Sequence, residues 1–306
     1  MTPQSSDEGS SVAAIIGVLR SVQGLDLTPY DESFLCKAID KRVQATGSRS
    51  REDYAALLAE QRAEAETLTR SLRISYTDFF RNPLAFALLE QRILPALIAA
   101  REQVGHGEIR VWSAGCAAGQ EAWSVAMLLD ELTQAHEPPL AYRIFASDLA
   151  EPELAVGRAG EYPANALGNV RQRHLHACFC QHGDNFAIAP RLRARVDFSA
   201  YDLLDEGSSS PQASIYGVFE LSLCCNLLFY YRPAVQQRIL AKICRALTPG
   251  GYLVTGETEH EIVPNTRGCA PWCRPQGCFK NREFPSDEEP RTDIRCVSRD
   301  IRVACC

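Results

Sequence analysis

Basic charge is in short supply. The chain of 306 residues has 32 Lys and Arg against 38 Asp and Glu, a net charge of −6. That excludes a global basic field for nucleic acid. Long apolar runs are missing as well: none reaches the roughly 18–20 residues a membrane span requires, so no direct bilayer insertion is expected. The opening MTPQSSDEGSS is polar and acidic, unlike a secretory signal. These absences predict a cytoplasmic protein. The G-x-G-x-x-G dinucleotide fingerprint is absent, and so is a C-x2-C pair, although the chain has 13 cysteines. Cys269-x3-Cys273-x4-Cys278 is only loosely metal-like, so no metal site is expected. Without a secretory signal a disulfide framework is not expected either. The main-body cysteines, Cys244 among them, read as small hydrophobes.

What is present divides into parts. Residues 1–73 carry apolar positions at helical spacing, as in SSVAAIIGVLRSVQG, and predict a small all-helical domain. Residues 74–83 form a linker. Over 84–280 short β-rich runs (EIRVWSAG, YRIFASD, VFELSLCCN, GGYLVTGE) alternate with helical stretches. That alternation predicts an α/β fold, a Rossmann-like doubly wound sheet. Such sheets bind ligands at the carboxyl ends of their strands. Residues 179–199, FCQHGDNFAIAPRLRARVDFS, alternate apolar and polar around Gly183-Asp184 and read as an inserted β-ribbon. Residues 281–306 are charged, contain cysteine, and are expected to be poorly ordered.

Four stretches carry chemistry. VWSAGCAAGQE (111–121) runs from a strand through Gly115 and Gly119 into a helix with Glu121 in its first turn. Glycine lets the backbone approach a ligand closely, although an ordinary tight strand–helix turn has the same form. FASD (145–148) ends the next strand on Asp148, which suits ribose hydroxyls or simply caps the following helix. Taken together, the glycine turn and Asp148 favour a nucleoside site, and the scarcity of glycines points to S-adenosylmethionine rather than NAD. ISYTDFFRNP (74–83) sets two phenylalanines beside Arg81, either a rigid elbow with one cation or a plain apolar linker. CCNLLFYY (224–231) places Asn226 and two phenols in an apolar run, where a polar group is costly unless it finds a partner.

The combination resembles the CheR-type chemotaxis receptor glutamate methyltransferases. SYTDFFRNP resembles that family's T-x-F-F-R block, and VWSAGCAAGQEAWSVAM its W-S-A-x-x-S-T-G-E-E-P-Y-S-I-A-M block. IFASD matches its second-strand motif, CCNLLFYY its C-R-N-V-x-I-Y-F, and QQRILAKICRALTPGGYLVTGETE its Q-x-x-I-L…L-x-P-G-G-x-L…G-H-S-E. The likeness covers about residues 12–280. It implies a class I S-adenosylmethionine methyltransferase that esterifies glutamate side chains of a chemoreceptor-like signalling protein and releases S-adenosylhomocysteine. The protein is expected to act as a monomer.

Carried over by position, Ser75, Thr77 and Arg81 fall on cofactor-contacting sites, as do Glu121 and Asp148. Asp202 and Leu203 fall on the adenine side, with Cys224 and Cys225. Gly115 and Asn226 join the cofactor set, with Asn226 holding either the loop or the cofactor. Arg81 and Tyr230 match the catalytic pair, and Tyr231 is expected only to pack. The chemistry agrees with the resemblance. A glutamate carboxylate, with a pKa near 4.3, is already a nucleophile at neutral pH and needs no general base. Carboxylate and sulfonium charges cancel in the transition state, so desolvation and in-line positioning carry the rate.

The sequence departs from the pattern at Ser75 (usually Asn), at Gln120-Glu121-Ala122 (for Glu-Glu-Pro), at Cys225 (usually Arg), and at GETE (for Gly-His-Ser-Glu). The ribbon is also shorter than in forms that bind a receptor tail peptide. Two other readings therefore stand: a cofactor-binding signalling module without turnover, and a methyltransferase of another protein or a small molecule. Lys37, Lys41, Arg42, Arg49 and Arg51, with Arg191, Arg193 and Arg195, offer a basic face for an acidic receptor helix, or an ordinary solvated surface.

Overall fold

The computed structural model describes residues 4–72, 76–105, 107–134, 136, 139–214, 218–263, 269–273 and 278–281, with backbone alone at 4–10 and 269–273. Ser75 and the tail beyond 281, both subjects of expectations above, lie outside the described residues.

Helices α1 (Gln4–Gln23), α2 (Glu32–Thr46), α3 (Arg51–Glu60) and α4 (Arg62–Leu72) surround a core of their own, built from Ile15, Leu19, Leu35, Ile39, Tyr54, Leu58 and Leu68. Local signals fix their ends. The Asp31 carboxylate accepts the Ser33 and Phe34 N–H groups at the start of α2, and Gly47, at φ 71°, closes it. The Ser50 hydroxyl accepts the Asp53 N–H at the start of α3.

The second part begins with α5 (Pro83–Leu88), which passes through a π-helical turn, Leu89–Ile93, into α6 (Leu94–Val104). Pro95 lacks an N–H and crowds the preceding turn, and the π turn absorbs that misfit. At 22 residues this continuous helix is long and apolar enough by composition to cross a bilayer, which the absence of an unbroken apolar run did not reveal. Here it packs on the sheet, with Leu89, Ile93 and Leu94 fully buried in the main core.

The remaining elements are β1 (Glu108–Ala114), α7 (Gln120–Thr133), β2 (Ala141–Asp148), α8 (Glu151–Ala159), β3 (Glu161–Pro163), α9 (Gln172–Cys178), β4 (Phe179–His182), β5 (Asn185–Ile188), α10 (Pro190–Arg193), β6 (Val196–Ala200), β7 (Phe219–Cys224), α11 (Pro233–Ala246), β8 (Leu247–Thr255), β9 (Cys269–Cys273) and β10 (Cys278–Asn281). The seven-stranded sheet has the order β6-β2-β1-β7-β8-β10-β9. Its pairings are parallel from β6 to β8, and only β10 runs antiparallel to its neighbours β8 and β9. This is the doubly wound α/β sheet that the alternation predicts. Strand order reverses beside β1, between β2 and β7, and a crevice opens there at the carboxyl ends of the strands.

The ribbon differs from the expectation. Only β4 and β5 form the hairpin, and β3 joins them to make a separate three-stranded sheet. Residues 190–193 are a helical turn, and β6 is the edge strand of the main sheet, paired with β2. Alternating apolar residues identify a strand but not the sheet it joins. The cysteines differ at one place: seven of those described are free thiols, whereas Cys244 is disulfide-bonded.

Phe198 of β6 fixes the spacing between α8 and the glycine turn. A Cβ on Gly157 would meet its ring at 2.6 Å, and one on Gly119 would meet it at 2.7 Å. Gly157→Ala should therefore lower stability by about 1–3 kcal/mol through overpacking. Adding Phe198→Leu should recover part of the loss; a thermal melt of the single and double variants checks this.

Candidate functional site

Two adjoining clefts occupy the crevice. One is walled by Leu25, Leu27 and Tyr30 of the helical domain and by Asp148, Asp202, Leu203 and Tyr230 of the sheet domain. The other is lined by Thr77, Arg81, Asn82, Glu121, Cys225 and Asn226. Gly115, Asp148 and Leu227 line both.

The floor comes from the ends of β1 and β2. The N–H groups of Gly115 and Cys116 donate to the Ser147 carbonyl at 2.8 and 3.0 Å, which bends the chain off β1. Gly115 sits at φ 75°, and a Cβ there would approach Leu227 Cδ2 at 3.0 Å. Glycine is required both for the backbone angle and for this close approach. Asp148 braces the turn: its Oδ2 accepts the Ala117 N–H, and its Oδ1 accepts the Ala150 N–H, each at 2.9 Å. The second bond braces the chain just before α8, at its N-cap residue Ala150, and Asp148 also lines both clefts.

Glu121 enters from the first turn of α7. Its Oε1 accepts the Ser113 hydroxyl at 2.7 Å. Burial pushes its pKa up to about 7, opposed by the Ser113 hydrogen bond and by the neighbouring Cys225 thiol. The Glu259 charge raises it further, and Arg81 pulls it down. The Cys225 thiol is held well above its ordinary range by burial and by these two carboxylates, so it stays neutral, and it donates to the Val254 carbonyl at 3.7 Å. Arg81 donates to the Tyr76 carbonyl at 2.6 Å and lies over the Tyr76 ring, 4.9 Å from its centroid.

CCNLLFYY forms the opposite lip. Asn226 adopts φ 59°, a left-handed conformation that asparagine tolerates better than most residues. Its side-chain oxygen accepts Asn82 Nδ2 at 3.2 Å, tying the lip to the linker motif. The backbone around it is held by Glu259, which is fully buried. The Glu259 carboxylate accepts the N–H groups of Asn226, Leu227 and Leu228 at 2.6, 2.7 and 2.6 Å, and that of Gly256 at 2.9 Å.

The helical domain grips the same lip. The Asp31 N–H donates to the Tyr230 carbonyl at 2.8 Å, and the Arg232 N–H donates to the Pro29 carbonyl at 3.0 Å. Tyr30 stacks on Tyr231 with centroids 5.2 Å apart, and Phe34 packs against Tyr230 at 5.0 Å. Tyr231 packs against the helical domain, but it also lines the first cleft, which goes beyond the packing role expected of it. Burial raises the Tyr230 pKa, partly offset by the Arg81 charge, so its hydroxyl keeps its proton at neutral pH.

Thr77, Arg81, Gly115, Glu121, Asp148, Asp202, Leu203, Cys225, Asn226 and Tyr230 all line one cleft or both. Cys224 lines neither: it is the last residue of β7, sealed in the core with Trp112, Phe145 and Phe219. Half of the basic face is paired with acids. Arg42 pairs with Glu64 at 2.7 Å, Arg49 with Asp53 at 3.0 Å, Arg51 with Asp40 at 2.8 Å, and Arg191 with Asp130 at 3.0 Å. Arg193 donates to the Arg158 carbonyl, and Arg195 lies over the Tyr142 ring. Three contributors escaped the sequence reading: Glu259, Asn82 and the Leu25–Tyr30 segment. GETE departs from a block that also ends in Glu, and that shared Glu is the available signal for Glu259.

With its folded pKa raised from 4.5 to about 7, Glu121 keeps a proton that the unfolded chain has already lost. This cost to folding is absent at low pH, grows as pH rises from about 4.5, and levels off above 7. Glu121→Gln should therefore raise the melting temperature relative to the parent more at pH 8 than at pH 5. An equal shift at both values would contradict the assignment.

Comparison with known proteins gives a family for this site. Residues 75–268 match the family described as "CheR methyltransferase, SAM binding domain", and residues 11–72 match "CheR methyltransferase, all-alpha domain". The chain is 32% identical over 246 residues to Chemotaxis protein methyltransferase 1 of Pseudomonas aeruginosa, covering 79% of this chain and 86% of that one. It is 32% identical over 206 residues to Chemotaxis protein methyltransferase Cher2 of Pseudomonas putida, covering 66% and 70%. It is 30% identical over 254 residues to a 104.1 kDa protein of Rhodobacter capsulatus, covering 83% of this chain and 26% of that longer one. The matched domain is one that binds S-adenosylmethionine, and the chain belongs to the CheR methyltransferase family.

Proposed function

We propose that this protein methylates glutamate side-chain carboxylates of a chemoreceptor or a related signalling protein. The reading rests on one observation above all: a cation, Arg81, and a protonated phenol, Tyr230, line adjoining clefts that share Gly115, Asp148 and Leu227. The Arg81 charge acts on the Tyr230 hydroxyl. A carboxylate nucleophile asks for such a pair and for no base. Among the described residues, no histidine lines either cleft.

The residues present fit S-adenosylmethionine. Gly115 keeps the floor clear where a Cβ would crowd Leu227. Asp148 retains acceptor capacity beyond its two backbone bonds, which suits ribose hydroxyls. Asp202, Leu203 and Tyr231 give the first cleft an apolar wall with a polar edge, suited to an adenine. Glu121 offers a carboxylate to the cationic part of the molecule, and Thr77 and Asn226 add polar contacts. When bound, the cofactor supplies a methyl group on a sulfonium, activated for displacement by an oxygen nucleophile.

The protein's own part is orientation. Arg81, braced by the Tyr76 carbonyl and ring, presents a fork suited to a carboxylate. Tyr230 donates a hydrogen bond to one carboxylate oxygen and leaves the other to react. The helical domain fixes Tyr230 through Asp31 and Phe34. Closure between the two domains keeps water from the nucleophile.

Two outcomes follow. Incubation with labelled S-adenosylmethionine and a receptor's cytoplasmic helices should give base-labile methyl esters. Tyr230→Phe and Arg81→Ala should each lower the rate by about 10- to 1000-fold, the range for one polar contact made in the transition state; full activity in both would remove the pair from catalysis. Cofactor binding should release a proton near pH 6.5, because a cation beside Glu121 favours its ionised form. Titration calorimetry in two buffers of different ionisation enthalpy reads that proton, and Glu121→Gln should abolish it.

A further inference from the structure

Glu259 stands outside both clefts, in the turn that follows β8, yet the lip of the site is built on it. Its four neighbours are all N–H donors, at 2.6–2.9 Å. Two carboxylate oxygens offer about four acceptor sites, so the set is filled. A glutamine here would turn its own NH2 against backbone donors, and a shorter or apolar side chain would leave buried N–H groups without partners. The position therefore requires an anion.

Gly256 is shaped to the same demand: a Cβ there would lie 2.7 Å from Glu259 Oε2 and 2.9 Å from Asn226 Nδ2. The turn held this way carries Asn226 at φ 59°, then Leu227, which packs against Gly115, then the 3-10 turn Leu228–Tyr230. Within five residues it presents a cofactor-side amide, the shared wall of both clefts and the catalytic phenol.

We propose that Glu259 is a positioning residue for methyl transfer, an anionic strut that fixes Asn226, Leu227 and Tyr230 in their working geometry. It also acts through space. Glu121 faces Ser113 of β1, Cys225 after β7, Cys116 of the glycine turn, Arg81 of the linker, and Glu259, whose charge opposes its ionisation. Cys225 is neutral, so no cation at that position screens one carboxylate from the other.

The proposal rests on the methyltransferase reading, and the experiment separates the two. Binding of S-adenosylhomocysteine to the full chain is measured by calorimetry from pH 5.5 to 8.5, together with methyl transfer at saturating cofactor. A parent chain that binds nothing sinks the methyltransferase reading itself. With binding established, Glu259→Gln should lose about tenfold or more in kcat, the scale of a hydrogen bond to a charged group. The pH midpoint of its cofactor affinity should fall, because a charge that opposes Glu121 ionisation has gone. Ile239→Ala, a cavity in α11 of similar cost to stability, should leave that midpoint in place. Gly256→Ala, which displaces the strut but keeps its charge, should lower kcat without moving the midpoint, and it serves if Glu259→Gln does not fold. The proposal is overturned if Glu259→Gln keeps kcat within about twofold of the parent, or if its midpoint stays with that of Ile239→Ala. In the fallback, it is overturned if Gly256→Ala retains full kcat.

Discussion

A buried carboxylate is among the most expensive groups a fold can carry, and here one is surrounded by backbone donors on every side. Burial raises the Glu259 pKa above the ordinary carboxylate value, and the N–H groups of Asn226, Leu227, Leu228 and Gly256 counter part of that rise. The arrangement is mutual. The amides need an acceptor, because the chain turns too sharply after β7 for a sheet or helix partner. The carboxylate needs donors, because a buried anion without them is driven to its neutral form. One contact therefore joins the ends of β7 and β8, sets Asn226 in its left-handed conformation and aims Leu227 at Gly115. Everything that lines the crevice from that side depends on it.

The other side of the crevice depends on the helical domain. Asp31 uses its side chain to cap α2 and its backbone N–H to hold the Tyr230 carbonyl. A helix cap and a domain contact thus coincide in one residue. The stacked tyrosines 30 and 231 seal that junction with apolar area and leave Tyr230 between Phe34 and the cleft. The helical domain is in this way a wall of the site as well as a neighbour to it. Its arginines are mostly paired with its own acids.

Legibility varied with the range of the interactions involved. Strand and helix identity, the glycine turn and the linker motif were readable because they follow from local periodicity and from residues a few positions apart. β6 was read as part of the ribbon because Val196–Phe198 alternates as a ribbon strand does; only its register with Ile144–Ala146 assigns it to the main sheet. The basic face looked open because arginines were counted without their partners, and Asp40 and Glu64 reach Arg51 and Arg42 from 11 and 22 residues away. Cys224 and Cys225 were treated alike, but the pleat sends successive side chains to opposite faces. One is core and the other lines the cleft.

The sequence by itself determined the two-part architecture, the sheet class, the cofactor and most of the side chains that line the crevice, because these are written in periodicity and in short blocks. Tertiary structure alone decided what holds those blocks in register. Glu259 meets Asn226 across 33 residues, Asn82 meets Asn226 across 144, and Tyr30 meets Tyr231 from the other domain. None of these leaves a periodic trace, since each is a single polar or aromatic group whose partner is chosen by the path of the chain. The polar island in the apolar run at 224–231 is where the distinction shows. Its composition marked a site, and the fold supplied the carboxylate that makes it stand.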